Sequence, residues 1–177
     1  MFPIVNAKRI AQIDQKYIQD LRIPGLLLME QAAISVCNEI FRDFPQPCNV
    51  LCIAGKGNNG GDALAVARIL QTHGYRVRLG ILSEDLPADA NSNLQYFLHT
   101  GQSVLLSAEE NIAAFFAQPA QILVDGLFGS GLTREPSGLY REIIRRINAH
   151  TAFRYSIDLP SGVFADSGQA AFAVQAD

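Results

Sequence analysis

The sequence lacks the features that mark several classes of protein. Its net charge is -3, so it has no basic footprint of the kind that nucleic-acid-binding domains carry. The N-terminus has no uninterrupted apolar run of signal-peptide length, because Asp14 and Lys16 interrupt it. The apolar run LLLM is far too short to span a bilayer. These absences lead us to expect a cytoplasmic protein.

Cysteine is also scarce, and the three cysteines predict neither a disulfide nor a zinc site. If Cys48 and Cys52 lie on one strand, their Cα atoms are about 13 Å apart at ~3.3 Å per residue. A disulfide requires roughly 4.4–6.8 Å. Neither a CxxC pair nor a Cys/His cluster occurs. We therefore interpret the cysteines as small apolar core residues.

The apolar content is sufficient for one globular domain. Hydrophobic residues make up 49% of the chain and charged residues 18%, which is typical of a folded domain. The chain contains no internal repeat, low-complexity tract or domain linker. We predict a single domain over residues 1–177.

Two helical patterns precede a regular alternation of strands and helices. The first helix begins after Asn6, a plausible N-cap, and the second runs from about Leu26 to the breaker DFPQP. Later helices are predicted for ALAVARILQTHG, for residues 94–99, for a segment toward Phe116 that Ser107 and Glu110 open as a capping box, and for LYREIIRRINAH. Strands are predicted for NVLCIA, RVRLGIL, SVLL, QILVDGLF and FRYSIDLP. This alternation predicts an α/β fold with a mostly parallel sheet covered on both faces.

Three polar loops follow strands, where open parallel sheets bind their ligands. They read GKGNNGGD, DGLFGSGLTREPSG and DLPSG. Gly55, Gly57 and Gly60 match G-x-G-x-x-G, but Gly80 stands about 20 residues on, where an ordinary dinucleotide site has an acid. No Gly-Lys-Ser/Thr of a Walker A loop occurs. The glycines still suit close approach of the backbone to a phosphate at a helix N-terminus.

Each polar residue of the first loop has two possible roles. Asp62 is either a ligand contact or the N-cap of the following helix. Asn58 and Asn59 are either turn residues that tolerate left-handed backbone or amides that serve a ligand and a cation.

Two carboxylates follow the buried strands of the other two loops. Asp125 and Asp158 each end an apolar strand, where a carboxylate is costly unless it is paired, hydrogen-bonded or coordinating. Function is our preferred interpretation of both. His73, His99 and His150 fall near helix ends, so we expect surface or capping roles for them and no Ser-His-Asp arrangement.

Three motifs in this order and spacing, GKGNNGGDALAVAR, VDGLFGSGL and IDLPSG, closely resemble the YjeF N-terminal domain, as does LLLMEQAA upstream. The members of this family are NAD(P)H-hydrate epimerases. The resemblance covers nearly the whole chain. It implies a Rossmann-like three-layer αβα sandwich, preceded by two helices, that interconverts the R and S epimers of hydrated NADH and NADPH. It also implies a bound potassium ion and a homodimer.

The resemblance assigns residues by motif. The potassium ligands would be Asn59, Asp125 and Ser161, all of which offer the oxygen atoms that hard cations prefer. The residues that contact the hydrated nucleotide would be Asn58, Asn59, Gly60, Gly61, Asp62, Gly129, Ser130, Gly131, Leu132, Thr133, Arg134, Glu135, Tyr140 and Asp158.

We also predict that Asp158 is the catalytic residue. Carbon 6 of the hydrated ring carries a hydroxyl, and its inversion requires a group that gives a proton to the leaving oxygen and takes one from the incoming oxygen. Asp125 is less suitable if it is committed to the ion. The alternative is that Asp158 only hydrogen-bonds the loop or the ligand.

The sequence departs from the family pattern at two places. Ala63 stands where a further glycine is usual, which we expect to narrow the loop slightly. The chain stops at Asp177, where the family continues into further strand and helix, so we expect a truncated domain. In many bacteria this domain is fused to a dehydratase that uses ADP or ATP, and such an enzyme, fused or separate, is an expected partner. The competing hypotheses are a non-catalytic scaffold domain of the same fold and a nucleotide-binding regulator.

Overall fold

A computed structural model describes residues 6–177, which form one five-stranded sheet with helices on both faces. The helices are α1 (Ala7–Gln19), α2 (Gly25–Asp43), α3 (Asn58–Thr72), α4 (Ala88–Leu98), α5 (Glu109–Phe116) and α6 (Leu139–Ala149). The strands are β1 (Asn49–Ala54), β2 (Arg76–Ile81), β3 (Ser103–Leu105), β4 (Ile122–Gly126) and β5 (Phe153–Ser156). Every strand and helix predicted from the sequence is present.

The sheet is parallel, and its strand order is β3-β2-β1-β4-β5. Because the chain first builds outward from β1 to β3 and then returns to place β4 on the other side of β1, the order reverses between β1 and β4. A crevice forms beyond the carboxyl ends of strands at such a point, and this is where ligands bind in open α/β sheets.

The two faces of the sheet bury different residues, as alternation along each strand requires. Val50, Cys52 and Ala54 of β1 pack with α2, α3 and α4. Leu51 and Ile53 point the other way, toward α5 and α6. The molecule is therefore a three-layer αβα sandwich, as expected.

Several boundaries differ from the prediction. Helix α4 begins at Ala88 rather than near Leu94, because Pro87 serves as its N-cap with the extended backbone that proline favours. The predicted capping box is wrong: α5 has Ala108 as N-cap, without a side-chain hydrogen bond, and Ser107 lies outside the helix. Glu109 and Glu110 instead place negative charge at the positive end of the helix.

Asn6 and the three histidines lie at the helix ends where the sequence predicted them. Asn6 caps α1, its side chain accepting a hydrogen bond from the Arg9 backbone N–H. His73, His99 and His150 are the C-caps of α3, α4 and α6. The three cysteines are free; Cys37 and Cys52 are buried, whereas Cys48 is half-buried. Within residues 6–177, no helix is both long enough and apolar enough to cross a bilayer.

Candidate functional site

The glycine-rich segment after β1 is largely helical. Helix α3 begins at Asn58 with Gly57 as its N-cap, in extended conformation and without a side-chain cap. The alternative reading of Asp62 as the N-cap is therefore wrong, because the helix starts four residues earlier. The first backbone N–H groups of a helix have no intrahelical acceptor, so the start of α3 presents donors toward the carboxyl edge of the sheet.

Three of the four glycines in this segment are required by packing. A Cβ on Gly55 would lie 2.1 Å from the Leu127 carbonyl oxygen, and one on Gly60 would lie 1.8 Å from the Gly55 carbonyl oxygen. A Cβ on Gly61 would lie 2.4 Å from Cε of Met29. Only Gly57 of the four faces open space. The glycines thus let α3 start directly against the sheet edge, and Gly60 and Gly61 are both buried.

Ala63, the residue that departs from the family pattern, does not line the segment. It is buried in α3, and its Cβ would lie 2.4 Å from a Cβ built on Gly126. The methyl group of Ala63 therefore fills space between α3 and β4 rather than space in the loop before α3.

Asp125 lies in β4 and is fully buried. Its carboxylate accepts hydrogen bonds from Ser161 Oγ at 2.6 Å, Ser161 N at 2.9 Å, Ser156 Oγ at 2.9 Å and Leu127 N at 3.1 Å. Burial raises the pKa of Asp125, and these hydrogen bonds oppose the shift because they favour the charged form. Asp125 and Ser161, which are 36 residues apart, therefore form one buried polar unit.

Asp158 differs from the sequence prediction in its surroundings. β5 ends at Ser156 and is only partly buried. Asp158 therefore lies two residues beyond a strand that is partly accessible to solvent, and not at the end of a buried strand. Asp158 is exposed and has a left-handed backbone with φ of 66°, a conformation in which Asp is enriched among non-glycine residues. Its Oδ2 accepts a hydrogen bond of 2.7 Å from Ser130 N, which joins the loops after β4 and β5.

Asn59 connects the first motif to the other two. The amide nitrogen and oxygen of its side chain are both buried, and neither has a hydrogen-bond partner among the described residues. A Cβ on Gly129 would lie 3.1 Å from Cγ of Asn59 and 2.7 Å from Oδ2 of Asp158. The three sequence motifs therefore meet at Gly129, which leaves room for both neighbours because it has no side chain.

The loop after β4 forms the outer part of the site. Ser130 donates to Asp158, and the Leu132 N–H donates to the Gly129 carbonyl at 3.2 Å. The Tyr140 ring packs on Phe128 with centroids 5.0 Å apart. The remaining residues predicted to bind the nucleotide include five that are exposed at the surface: Asn58, Gly131, Thr133, Arg134 and Glu135. Apart from Gly131, which has no side chain, their side chains make no hydrogen bond within the described chain.

Asp62 has a property that sequence reasoning missed. Burial, the charge of Asp158 and the charge of Asp14, in that order, raise its pKa to about 7. The three aspartates lie on α1, on α3 and after β5, so no local pattern in the sequence indicates that the charges of Asp14 and Asp158 act on Asp62. The sequence suggested this carboxyl group only as a ligand contact or a helix cap, and it gave no sign that the pKa would be raised.

A second feature that the sequence did not indicate is a polar network between α2, α3 and α4. Asn93 is buried in α4, and its Nδ2 donates to Sδ of Met29 at 3.3 Å. Arg68 Nε donates to Asn93 Oδ1 at 3.1 Å, and Arg68 also forms an ion pair with Glu30. This Met29 network, consisting of Met29, Glu30, Arg68 and Asn93, holds α2, α3 and α4 together where Met29 packs on Gly61. A lone asparagine within an amphipathic helix was the only signal for it.

The oxygen-rich side chains fit a hard monovalent cation. Asn59 offers a buried amide oxygen without a partner, and Asp125 and Ser161 supply a carboxylate and a hydroxyl. Such oxygen donors are the ligands that hard cations prefer. Across residues 6–177, no three His, Cys, Asp or Glu side chains are grouped as ligands of a metal ion, so the cation would rely on one carboxylate and neutral oxygens.

The chain is similar to proteins whose names state a function. Residues 25–177 match the family model described as YjeF-related protein N-terminus. An NAD(P)H-hydrate epimerase of Lentilactobacillus buchneri is 37% identical over 173 residues, which are 95% of this chain and 77% of that protein. The bifunctional NAD(P)H-hydrate repair enzyme Nnr of Moorella thermoacetica is 36% identical over 177 residues, and the chain spans about a third of its length, 33%. The crystal structure of yeast ynu0 (YNL200c) superposes with a TM-score of 0.85 at 23% identity, covering 99% of this chain and 78% of the yeast chain, and so shares the fold.

Proposed function

Since the chain belongs to the family of the YjeF-related protein N-terminus, we propose that it interconverts the R and S epimers of hydrated NADH and NADPH. The reaction makes it an isomerase of nicotinamide nucleotide repair. Relatives named NAD(P)H-hydrate epimerase support this activity. The observation that carries it is the meeting of Asn59, Gly129 and Asp158, one residue from each motif, at the carboxyl edge of the sheet.

The substrate would bind across the start of α3. Among the described residues, no side chain caps the N-terminus of α3 at Gly57. The N–H groups of the first turn of α3 are therefore free to bind a phosphate group. The loop of residues 129–135 and the Tyr140 ring would flank the nucleotide on the side of β4 and α6. Because Gly60 and Gly61 have no side chains, their contribution to binding would be through the backbone.

A potassium ion would bind at Asn59, Asp125 and Ser161. The unpartnered amide of Asn59 supports this assignment, since a buried polar group without a partner costs about 1–3 kcal/mol. When bound, the cation would offset negative charge of the substrate phosphates and of Asp125. The protein's contribution is to hold the Asp125 carboxylate in place through four hydrogen bonds.

Asp158 would exchange protons with the oxygen on carbon 6. It is exposed at the crevice, and its Oδ2 is oriented by the Ser130 N–H. A positioned acid-base group contributes typically 10²–10⁴-fold to a rate. Asp125 is less suitable because it is fully buried and, in this proposal, is committed to the ion.

The assembly and the cellular setting are also part of this proposal. We expect a homodimer. We also expect a cytoplasmic location, where the three free cysteines would remain reduced. A hydrate dehydratase would be the enzyme that consumes the product. The dehydratase would be fused or separate, and the bifunctional Moorella relative supports a fused arrangement in some proteins.

One experiment tests the activity directly. Purified protein would be given a single epimer of NADH hydrate, and the appearance of the other epimer would be followed by chromatography or NMR against a protein-free control. We expect conversion well above the spontaneous rate. A scaffold or a regulator of the same fold would bind the nucleotide and leave the conversion rate unchanged, and that result would refute the proposal.

A further inference from the structure

Asp62 is a carboxyl group at the candidate site without a partner. It lies three residues after Asn59 on α3, and residues at this spacing share one face of a helix. Asn59, on that face, contacts the position of a Cβ built on Gly129, and Oδ2 of Asp158 contacts the same position. Asp62 is half-buried, and within residues 6–177 its carboxyl group makes neither a hydrogen bond nor an ion pair.

The charged groups that face Asp62 are acids. The charges that act on it are those of Asp158, in the loop after β5, and of Asp14, on α1. No cation from α2, α4 or the loop after β4 pairs with Asp62 in the described chain. Burial and these two like charges favour the protonated form and raise its pKa to about 7. Asp62 therefore keeps a proton at pH values at which an ordinary aspartate has lost it.

We propose that Asp62 is a second catalytic carboxyl group, the proton donor to the oxygen on carbon 6, and that it forms an acid-base pair with Asp158. This assignment rests on the proposed epimerase function. It follows from the geometry: one carboxyl is half-buried and without a partner, and the other is exposed and fixed by a backbone N–H. Two carboxyl groups whose surroundings differ in this way are the usual arrangement of an acid and a base in one site.

The proton balance is closed within the pair. Asp62 gives its proton to the hydroxyl oxygen, the carbon 6–oxygen bond breaks with its electron pair, and water leaves. The lone pair of the ring nitrogen forms a double bond to carbon 6, giving an iminium cation. Water then adds to the other face of carbon 6, the nitrogen recovers its electron pair, and the proton released from that water passes to the pair. The pair holds one proton before and after the cycle, and no oxidant or reductant is consumed.

The variant Asp62→Asn tests this role. The amide is nearly isosteric with a protonated carboxyl group but cannot release a proton as an acid, so we expect nucleotide binding to persist and kcat to fall by roughly 10²–10⁴-fold. The readout is epimerisation of NADH hydrate, with binding measured by calorimetry. Retention of the wild-type kcat by this variant would overturn the inference. If the wild-type protein itself fails to epimerise, the proposed function is what fails.

Asp14→Asn supplies an independent readout and does not alter the pair. Asp14 is an exposed residue of α1, and removing its charge takes away one of the two like charges that hold the proton on Asp62. In the wild type, kcat should fall as the pH rises through about 7, because Asp62 loses its proton there. In Asp14→Asn this fall should occur at lower pH. At pH values below the transition, kcat of the variant should equal that of the wild type.

Both profiles are measured at one fixed potassium concentration after subtraction of the protein-free rate. Identical profiles for the wild type and Asp14→Asn would overturn the assignment of the acid to Asp62. This second variant decides the question even if Asp62→Asn does not fold.

Discussion

At the scale of single residues, Asn59 and Asp125 contribute to the same candidate cation site in different ways. Asp125 accepts four hydrogen bonds, so its removal would leave several buried donors without an acceptor and would destabilise the fold as well as the site. Asn59 has no hydrogen-bond partner to lose among the described residues. Asn59 is therefore the residue at which binding and folding can be separated.

Replacement of Asn59 by Ala should abolish stabilisation by potassium without lowering the stability of the ion-free protein. A ligand that binds only the folded state stabilises it by about 2.7 kcal/mol at 100 times its Kd. Wild-type Tm should therefore rise with potassium chloride, measured against tetramethylammonium chloride at equal ionic strength, and the Tm of the variant should not. Asn91→Ala, at an exposed position of α4, is the matched control. A potassium-dependent rise in the Asn59 variant would argue against its role as a ligand.

Replacement of Asp158 by Asn should bring epimerisation close to the spontaneous rate. The amide keeps an oxygen that can accept from Ser130 N, so fold and nucleotide affinity should be preserved. The loss should be roughly 10²–10⁴-fold. Glu110→Gln, an exposed carboxyl on α5, makes the same chemical change away from the site and should behave as wild type. Turnover near the wild-type rate in Asp158→Asn would leave only a binding role for this residue.

At the scale of elements, the start of α3 is where packing and recognition are combined. The residues that face inward in its first turn are glycines, because the backbone of Gly55 and the side chain of Met29 occupy the space beside them. The sequence pattern had suggested that these glycines make room for a phosphate. In the structure, Gly55, Gly60 and Gly61 are needed because a Cβ at each position would collide with a neighbour. This close packing brings the first N–H groups of α3 to the edge of the sheet.

Gly60→Ala should destabilise the protein far more than Gly57→Ala. The Cβ of Gly60→Ala would lie 1.8 Å from the Gly55 carbonyl oxygen, a backbone atom that cannot rotate away, whereas nothing lies within 4 Å of the Gly57 position. We expect a loss of roughly 3 kcal/mol for the first variant, a fall in Tm of roughly 6–12 °C in a chain of this length. The second should lose about 0.5 kcal/mol, since glycine is a slightly better N-cap than alanine. Thermal unfolding followed by circular dichroism measures both, and equal Tm values would contradict the packing role.

At the scale of the whole molecule, the layered architecture was predictable and several local details were not. Apolar strands alternating with amphipathic helices determine a parallel sheet with two covered faces. Asp125 was also predictable as a buried carboxylate that needs hydrogen-bond partners, because it follows three apolar strand residues. The raised pKa of Asp62 and the Met29 network were not, since both depend on side chains that only the tertiary fold brings together. The Ser107 capping box failed because a short helix could begin one residue later, at a position without a capping side chain.

The exposed apolar residues of α1 and α2 make a second copy of the chain the expected partner. Leu21, in the turn between these helices, is 63% exposed, and Leu27 in α2 is 58% exposed. The same two helices expose Ile10, Ile13, Tyr17, Ile18 and Ile34. Symmetric dimers commonly bury such faces against each other. Light scattering should give a mass near twice 19.3 kDa.

Leu21→Glu combined with Leu27→Glu should shift that mass to the monomer, because the paired surface would bury unpaired charge. Tyr96→Ser, at an apolar residue of α4 that is 54% exposed, should leave the dimer intact. A wild-type protein that is monomeric at micromolar concentration would exclude this assembly.

The contact of Met29 with Gly61 makes the geometry of the site depend on the redox state of one sulfur atom. The chain has two methionines, Met1 and Met29, and the thioether of Met29 both packs against Gly61 and accepts the Asn93 amide. Oxidation to the sulfoxide would add a polar oxygen in a space that has no room for a Cβ on Gly61. At 8% exposure, Met29 is shielded while the fold is closed. Oxidation of the Met29 sulfur would therefore require α2 to open transiently. Once formed, the sulfoxide would prevent the first turn of α3 from packing again against the sheet.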